Sequence, residues 1–447
     1  MRSNLLLSIN DLYGALICLL ITLWIFQKAN KHYYQNTLLS DFKKGFYLRA
    51  IGIIASAFFN LYLVKADSAN YFAAAKSISA TIKNLDLSDY EKILTNDFYD
   101  LPLRIKYFFT NSNYVNQTYD NHKTLVHAAG IIGFFSFDSY IAMSFFFSMW
   151  GYLGTWLLYI TLIKKYPAGR KWLFYFIIAY PSLCFWTTGL LKDSICFGSL
   201  GILFYCFFNL SGAKKRPLFS ILIGLISLYI LVLYKTYILI AFSVAYLMGQ
   251  LLYRFFRTNM LGKAISIMTF GTLLFFIANF SSINFERSFY ELINKDIKER
   301  IDYVTGFQLS ESGSSYDLGE IKLNSWGLIE YLGSSIHVTL FRPYIWEYRN
   351  PLVIALSFES MIMFFWLFYL IIAVGPKNIF WAVKSSSVLI FALFFTVLIA
   401  SFAGGIAFNF GTLARYKLPL IPFYYFLMIA IPIVHSERKR LKNSIPI

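Results

Sequence analysis

Charge is what this 447-residue chain has least of. Asp, Glu, Lys and Arg make up 14% of it, whereas an ordinary globular domain carries roughly a quarter. Hydrophobic residues make up 58%, and the mean hydropathy is +0.57. A soluble domain of this size has no means of hiding so much apolar surface, so the water-soluble classes are excluded. Acids are scarcer still, 23 against 40 Lys and Arg, and there are only five His and four Cys. Cys18, Cys184, Cys196 and Cys206 all fall in apolar runs, with neither disulfide nor zinc spacing. Also missing are a Walker loop, a Gly-rich dinucleotide motif, a paired-carboxylate metal motif, a His/Cys cluster, a heptad run and an internal repeat. The expectation is therefore no metal and no cofactor. The net charge of +17 is no sign of nucleic-acid binding, because the basic residues are scattered over short turns.

What the chain has in abundance is long apolar runs. A run of about 18 residues with few charges reads as a membrane-spanning helix. Such runs fall at 12–26, 46–64, 139–163, 172–187, 194–210, 217–233, 237–253, 264–280, 352–374, 386–403 and 417–434. They predict an all-α integral membrane protein, a single polytopic domain over 1–447 with about eleven spans. The apolar stretch 125–137 is too short for another span and reads as a re-entrant or interfacial helix. The first run has no small-residue cleavage pattern after it and reads as a retained helix.

Lys and Arg give the orientation. One set of connections holds Lys28, Lys31, Lys43, Lys44 and Arg49; Lys164, Lys165, Arg170 and Lys171; Lys214, Lys215 and Arg216; Arg254, Arg257 and Lys263; Lys377 and Lys384; and the tail Arg438, Lys439, Arg440 and Lys442. Only Asp41 and Glu437 share that side, whereas the other side holds slightly more acids than bases. The expected location is the cytoplasmic (inner) membrane, multi-pass, with the N-terminus outside and the C-terminus cytoplasmic.

Two connections are long, and both fall on the outer side: 65–138 and 281–350. Long loops without function are uncommon. In the first, Tyr71, Ala74, Ala75, Ile78 and Ile82 recur at helical spacing, predicting an amphipathic helix along the membrane surface. The second opens on a charged amphipathic stretch, continues through a partly flexible Ser/Gly-rich piece (SESGSSYDLGE), and ends in aromatics.

The residues with chemical potential stand at the outer ends of the spans. Asp67 follows the second span, and Lys192 and Asp193 lie between the fourth and fifth. Lys235 occupies the YKTY turn; Arg342, Glu347 and Arg349 precede the ninth span; Glu359 lies deeper within it; Arg415 enters the last. Charges at helix ends commonly just reach for water, and that is the ordinary reading of Lys235, Arg349 and Lys417 taken singly. Asp193 equally suits a helix N-terminus, and Glu359 suits pairing with a neighbouring helix. His127 and His337, also on the outer side, read first as structural. Convergence of so many ionisable groups on one face favours a common cavity carrying both acids and bases. Such a cavity suits an anionic lipid-linked substrate, because Arg and Lys bind phosphate and a carboxylate takes a proton from a hydroxyl.

Four segments carry a family resemblance. Asp67 with DSANYFAAAKSI is similar to an acid-x-x-x-Tyr pattern, and PSLCFWTTGLLKDSI to a Pro-Ser-x-x-Phe-Trp-x-x-Gly-x-x-Lys-Asp segment. FRPYIWEYRNP is similar to an Arg-Pro-x-x-Trp-Glu segment before a late helix, and ARYKLPLIPFYYF to an Arg-Tyr-x-x-Pro-x-x-Pro span entry. In this order they resemble the GT-C class of membrane glycosyltransferases and the related surface-polysaccharide polymerases. The chain departs from that class in two ways. Its acid follows the second span instead of the first, and it lacks an adjacent second acid and an Asp-x-Asp pattern.

The resemblance implies a polyprenyl-phosphate or polyprenyl-diphosphate sugar donor and a glycan or lipid-linked acceptor, reacting on the outer face among membrane lipids. It implies Asp67 as catalytic base and Lys192, Arg342 and Arg415 as phosphate ligands. Asp193, Lys235, Glu347 and Glu359 would support those cations or contact sugar. Two other classes remain open at this point: a transporter or flippase of lipid-linked sugars, and a non-catalytic membrane scaffold.

Overall fold

A computed structural model describes residues 9–32, 36–63, 67–83, 92, 120–209, 217–260, 262–263, 316, 318, 325–347, 351–407 and 409–443. Among the described residues, helix is the only extended regular structure. The chain divides into two compact units, Met1–Thr236 and Tyr237–Ile447.

The first unit holds α1 (Ile9–His32), α2 (Asn36–Phe58, prolonged by a π-helical turn Phe59–Leu63), α3 (Asp67–Lys83), α4 (Asp120–Phe135) and α5 (Tyr140–Lys165). It continues with α6 (Arg170–Leu173, prolonged by a π-helical turn Phe174–Ile178), α7 (Pro181–Trp186), α8 (Lys192–Asn209) and α9 (Pro217–Tyr234). The second unit holds α10 (Thr236–Arg257, whose first residue closes the first unit), α11 (Ser325–Phe341), α12 (Pro351–Val374) and α13 (Pro376–Lys384). It ends with α14 (Ser387–Ile406), α15 (Phe410–Tyr416) and α16 (Ile421–Asn443).

Among the described residues, six helices are long and apolar enough to cross a bilayer: Ile9–Asn30, Thr37–Tyr62, Tyr140–Lys165, Thr236–Arg257, Pro351–Val374 and Ser387–Ile406. A seventh span follows if α15 and α16, bent by 63°, cross as a pair. At 1.5 Å per residue each of the six reaches about 30 Å or more, the thickness of the hydrocarbon core. The chain is therefore a multi-pass α-helical membrane protein.

The other expected spans fare differently. Residues 264–280 lie outside the described residues. The run 217–233 is helical, but its apolar part, Leu218–Tyr234, is shorter than a full span. The run 194–210 lies in α8 as far as Asn209, and the 18 residues of that helix open on Lys192 and Asp193. The run 172–187 is not one helix. It breaks after Ala179, Tyr180 is extended, and the chain restarts at Pro181. Proline has no N–H to continue a helix and disfavours helical backbone in the residue before it, so an apolar run of spanning length becomes two short pieces.

The amphipathic stripe of the first outer loop lies on α3. Tyr71, Ala74, Ala75 and Ile78 are buried and Ile82 is half-buried. The 125–137 stretch forms most of α4, which packs along α3, and the Cβ that Gly130 lacks would lie 2.7 Å from the Ile78 side chain. The tightest crossing in this unit joins α5 and α8. The Cα and carbonyl of Gly198 occupy the space where a Gly154 side chain would project, and Gly201 packs on Gly154 in the same way. Small residues allow such backbone approach, which is how membrane helices gain packing energy without a hydrophobic driving force.

Candidate functional site

In the first unit the PSLCFWTTGLLKDS segment forms the break between α7 and α8. Thr187 and Thr188 return their hydroxyls to the carbonyls of Leu183 and Cys184, four residues back, as the helix ends. Residues 187–191 are then unwound and buried. Non-helical backbone at such a place must find internal partners. Ser148 of α5 donates to the Thr188 carbonyl at 2.6 Å, and Ser194 of α8 donates to the Gly189 carbonyl at 2.8 Å.

Against this break lies a residue that charge bookkeeping assigned to a loop. Arg49 sits inside α2, wholly buried at 0% exposure. Its guanidinium donates to the Leu183 carbonyl at 3.2 Å, to Thr155 Oγ1 at 3.1 Å and to Thr187 Oγ1. No carboxylate pairs with it among the described residues. An ionisable side chain within a span is costly and is a functional candidate by default. The signal that distinguishes Arg49 from its basic neighbours is its position several residues into an apolar run, with Gly52 beside it.

On α8, Asp193 and Lys235 form a buried ion pair, at 2% and 5% exposure. The snorkelling reading of Lys235 is therefore wrong: its ammonium turns inward to Asp193 of α8, while Thr236 beside it is exposed. Lys192 opens the same helix, half-buried. Asp67 is the first residue of α3, half-buried, and the next residue, Ser68, hydrogen-bonds the Tyr140 hydroxyl at 2.7 Å.

The second unit brings two of the expected residues, Arg342 and Glu347, into direct contact. Arg342, just past the end of α11, points Nε at both oxygens of Glu347, at 3.0 and 3.1 Å, and also pairs with it through Nη2. The Tyr344 N–H donates to the same carboxylate at 2.7 Å. The guanidinium lies against the Tyr316 and Phe410 rings, 5.8 and 5.5 Å from their centroids, and those two rings stack on one another. Such faces attract a desolvated cation. Burial pushes the Glu347 carboxyl upward, but the Arg342 guanidinium and the Tyr344 N–H outweigh it and hold the group below the usual carboxylate range. Glu347 thus stays anionic and fixes the fork.

Deeper in the unit, Ser360 Oγ donates to the Arg342 carbonyl at 2.9 Å, and Lys417 Nζ donates to Ser360 Oγ at 3.3 Å. Lys417 is 1% exposed, so its snorkelling reading is also overturned, and the carboxyl of Glu359, 9% exposed, lies close enough to act on its charge. Pro419 ends the α15 segment here, which buries Lys417 in the bend before α16. Arg415 is half-buried on α15, the helix that also supplies Phe410. A cavity of about 350 Å³ opens beside Arg342, lined also by Gly333, Ser334, His337 and Val338. His337 is exposed, and its Nε2 lies 3.0 Å from the Tyr344 hydroxyl. His127 is buried. Arg349 lies outside the described residues.

The expected site residues therefore divide, with Asp67, Lys192, Asp193 and Lys235 in the first unit and Arg342, Glu347, Glu359 and Arg415 in the second. Comparison with known families, with curated proteins and with solved structures finds no match to this chain.

Proposed function

We propose that this protein is a membrane glycosyltransferase that uses a polyprenyl-phosphate- or polyprenyl-diphosphate-linked sugar on the outer face of the cytoplasmic membrane, as transferase or repeat-unit polymerase in polysaccharide or glycoconjugate synthesis. The observation that carries the reading is the Arg342 centre. A guanidinium oriented by Glu347 and backed by two aromatic rings, its Nη1 without a hydrogen bond among the described residues, borders a cavity lined by Ser334, His337 and Val338. A planar fork recognises phosphate more selectively than a point charge does. The four-segment likeness to the GT-C class supplies the reaction type.

In the second unit, Arg342 and Arg415 take the donor phosphate, Glu347 positions Arg342, and Glu359 positions Lys417. The GT-C likeness by itself names Asp67 as the base for the acceptor hydroxyl and Lys192 as a further cation, with Asp193 and Lys235 supporting it, and these four belong to the first unit. The acceptor oxygen bonds to the anomeric carbon, the bond from that carbon to the phosphate oxygen breaks, and the polyprenyl phosphate leaves with the electron pair.

One observation favours a second reading, a transporter or flippase of lipid-linked sugars. Each unit contains an interrupted apolar helix, at 179–191 in the first and 417–420 in the second, although no internal sequence repeat relates them. Interrupted helices are common where transporters bind their substrates. Purified full-length protein in detergent, given a radiolabelled polyprenyl-phosphate sugar and acceptor, separates the two. Transfer of label supports the enzyme, since no compartments exist for transport. Label that stays on the polyprenyl carrier, together with movement of the same donor across reconstituted vesicles, establishes the transporter.

A further inference from the structure

On the face of the first unit where Lys and Arg accumulate, a groove of about 1030 Å³ lies between the start of α2 and the α6 region. Its polar rim holds Asp41, Lys44, Arg170 and Lys171, and its wall is formed chiefly by apolar and aromatic residues including Tyr47, Ile51 and Tyr175. Asp41 and Arg170 neutralise each other. The Arg170 Nε and Nη2 donate to one Asp41 oxygen at 3.0 and 2.8 Å, and the Tyr159 hydroxyl donates to it at 2.6 Å. Lys44 and Lys171 are exposed, have no acidic partner among the described residues, and leave the rim with a net charge of two positives. Tyr47, Ile51 and Tyr175 are each about half exposed or more, at 56%, 63% and 49%. Tyr47 and Ile51 lie on α2 within a stretch long and apolar enough to cross a bilayer, and an exposed apolar face there suits lipid.

We propose that this groove is a binding site for a phosphate-bearing membrane lipid, with its anionic headgroup on Lys44 and Lys171 and its acyl chain along the Tyr47–Ile51 face. Charge and shape agree on this occupant. A free phosphate satisfies the two ammonium groups but leaves the long apolar wall unmatched, whereas a lipid uses both. Basic grooves between spanning helices on the positive side of a membrane are suited to anionic headgroups. The Asp41–Arg170–Tyr159 cluster gives the groove a fixed rim without repelling the ligand, because its carboxylate is already spent on a guanidinium and a hydroxyl. The site is separate from the Arg342 centre and does not rest on the glycosyl-transfer reading.

The test uses the full chain reconstituted in phosphatidylcholine vesicles with spin-labelled phosphatidylglycerol as the probe. The immobilised fraction of label reports the relative association constant against spin-labelled phosphatidylcholine. Each basic residue near an anionic lipid surface is worth about fivefold in association. Preference for phosphatidylglycerol is expected in the parent protein, falling about 25-fold in Lys44→Gln/Lys171→Gln. It should persist in Lys164→Gln/Lys165→Gln, which removes two exposed charges at the end of α5 outside the groove. All four lysines are exposed, so these substitutions leave the fold intact. Absence of preference in the parent overturns the proposal. So does an equal loss in both double variants, which makes the effect a diffuse surface charge. Displacement of the probe by inorganic phosphate overturns the lipid as occupant in favour of a free anion.

Discussion

The buried Asp193–Lys235 pair gives the sharpest stability prediction. Both groups are almost completely removed from solvent, so neither is screened by water when its partner is lost. Lys235→Met takes the ammonium from the Asp193 carboxylate, and Asp193→Asn takes the carboxylate from the ammonium. Breaking a buried pair from one side costs about 3–5 kcal/mol. Removing both charges leaves a Met and an Asn in much the same volume and no stranded ion. Asp193→Asn/Lys235→Met should therefore lie within about 2 kcal/mol of the parent, because a buried pair gains little over neutral groups of similar size. The coupling energy, read as the failure of the two single losses to add, should be several kcal/mol and positive for the pair. Reversible unfolding of the purified protein in mixed micelles, scored by intrinsic fluorescence of its nine Trp, supplies the four free energies. A double variant as damaged as the sum of the singles would refute the pairing. So would single variants that cost less than about 1 kcal/mol each, the range of an exposed ion pair.

Three further outcomes follow from the packing and the charges. Arg49→Met should cost no more than about 1 kcal/mol, since Thr155 and Thr187 already donate to the Gly151 and Leu183 carbonyls and no carboxylate is left stranded. A loss above about 3 kcal/mol in the same unfolding assay would reveal an anionic partner for it. Gly154→Ala should destabilise by about 1–3 kcal/mol, because its Cβ enters the Gly198 backbone, whereas Gly333→Ala on α11, with open space around it, should stabilise by about 0.5–1 kcal/mol. The opposite order in a thermal monodispersity assay would contradict the α5–α8 crossing. Glu347 makes stability pH-dependent: its folded value is depressed, so its contribution is complete above the unfolded value of about 4.3 and is lost as pH falls through the folded one. Glu347→Gln should flatten that part of the acid limb, and an unchanged limb would show that Arg342 does not hold the carboxylate.

Different parts of this molecule were legible in the sequence to different degrees, for physical reasons. The long helices were readable because spanning length and apolarity are local properties of a run, as in α5, α12 and α14. So was the buried stripe of α3, where a period of 3.6 places Tyr71, Ala74, Ala75 and Ile78 on one face. The Arg342–Glu347 contact spans five residues and needs only a local turn. The averaging that finds spans also hides breaks. Run 172–187 carries no charge, and only Pro181 marks where it divides.

Arg49 was misplaced for a related reason. Its distance from Lys44 is short along the chain, yet its partners Thr155, Leu183 and Thr187 are more than a hundred residues away. Lys235 and Lys417 look like ordinary helix-end cations until tertiary packing turns one to Asp193 and the other to Ser360 and Glu359. Long-range polar partnering is set by how helices pack, and no local pattern encodes it.

The central claim, that Arg342 receives a lipid-linked phosphate, is tested most directly by equilibrium binding of a polyprenyl phosphate to the purified full-length protein. Arg342→Ala and Arg342→Lys are compared with the parent, and folding is verified by monodispersity. The account predicts saturable binding by the parent. Arg342→Ala should weaken it by roughly 30-fold or more, the loss expected for about 2 kcal/mol or more of charge-assisted hydrogen bonding. Arg342→Lys should recover only part, because a point charge lacks the planar fork. Equal affinity in all three folded proteins would contradict it.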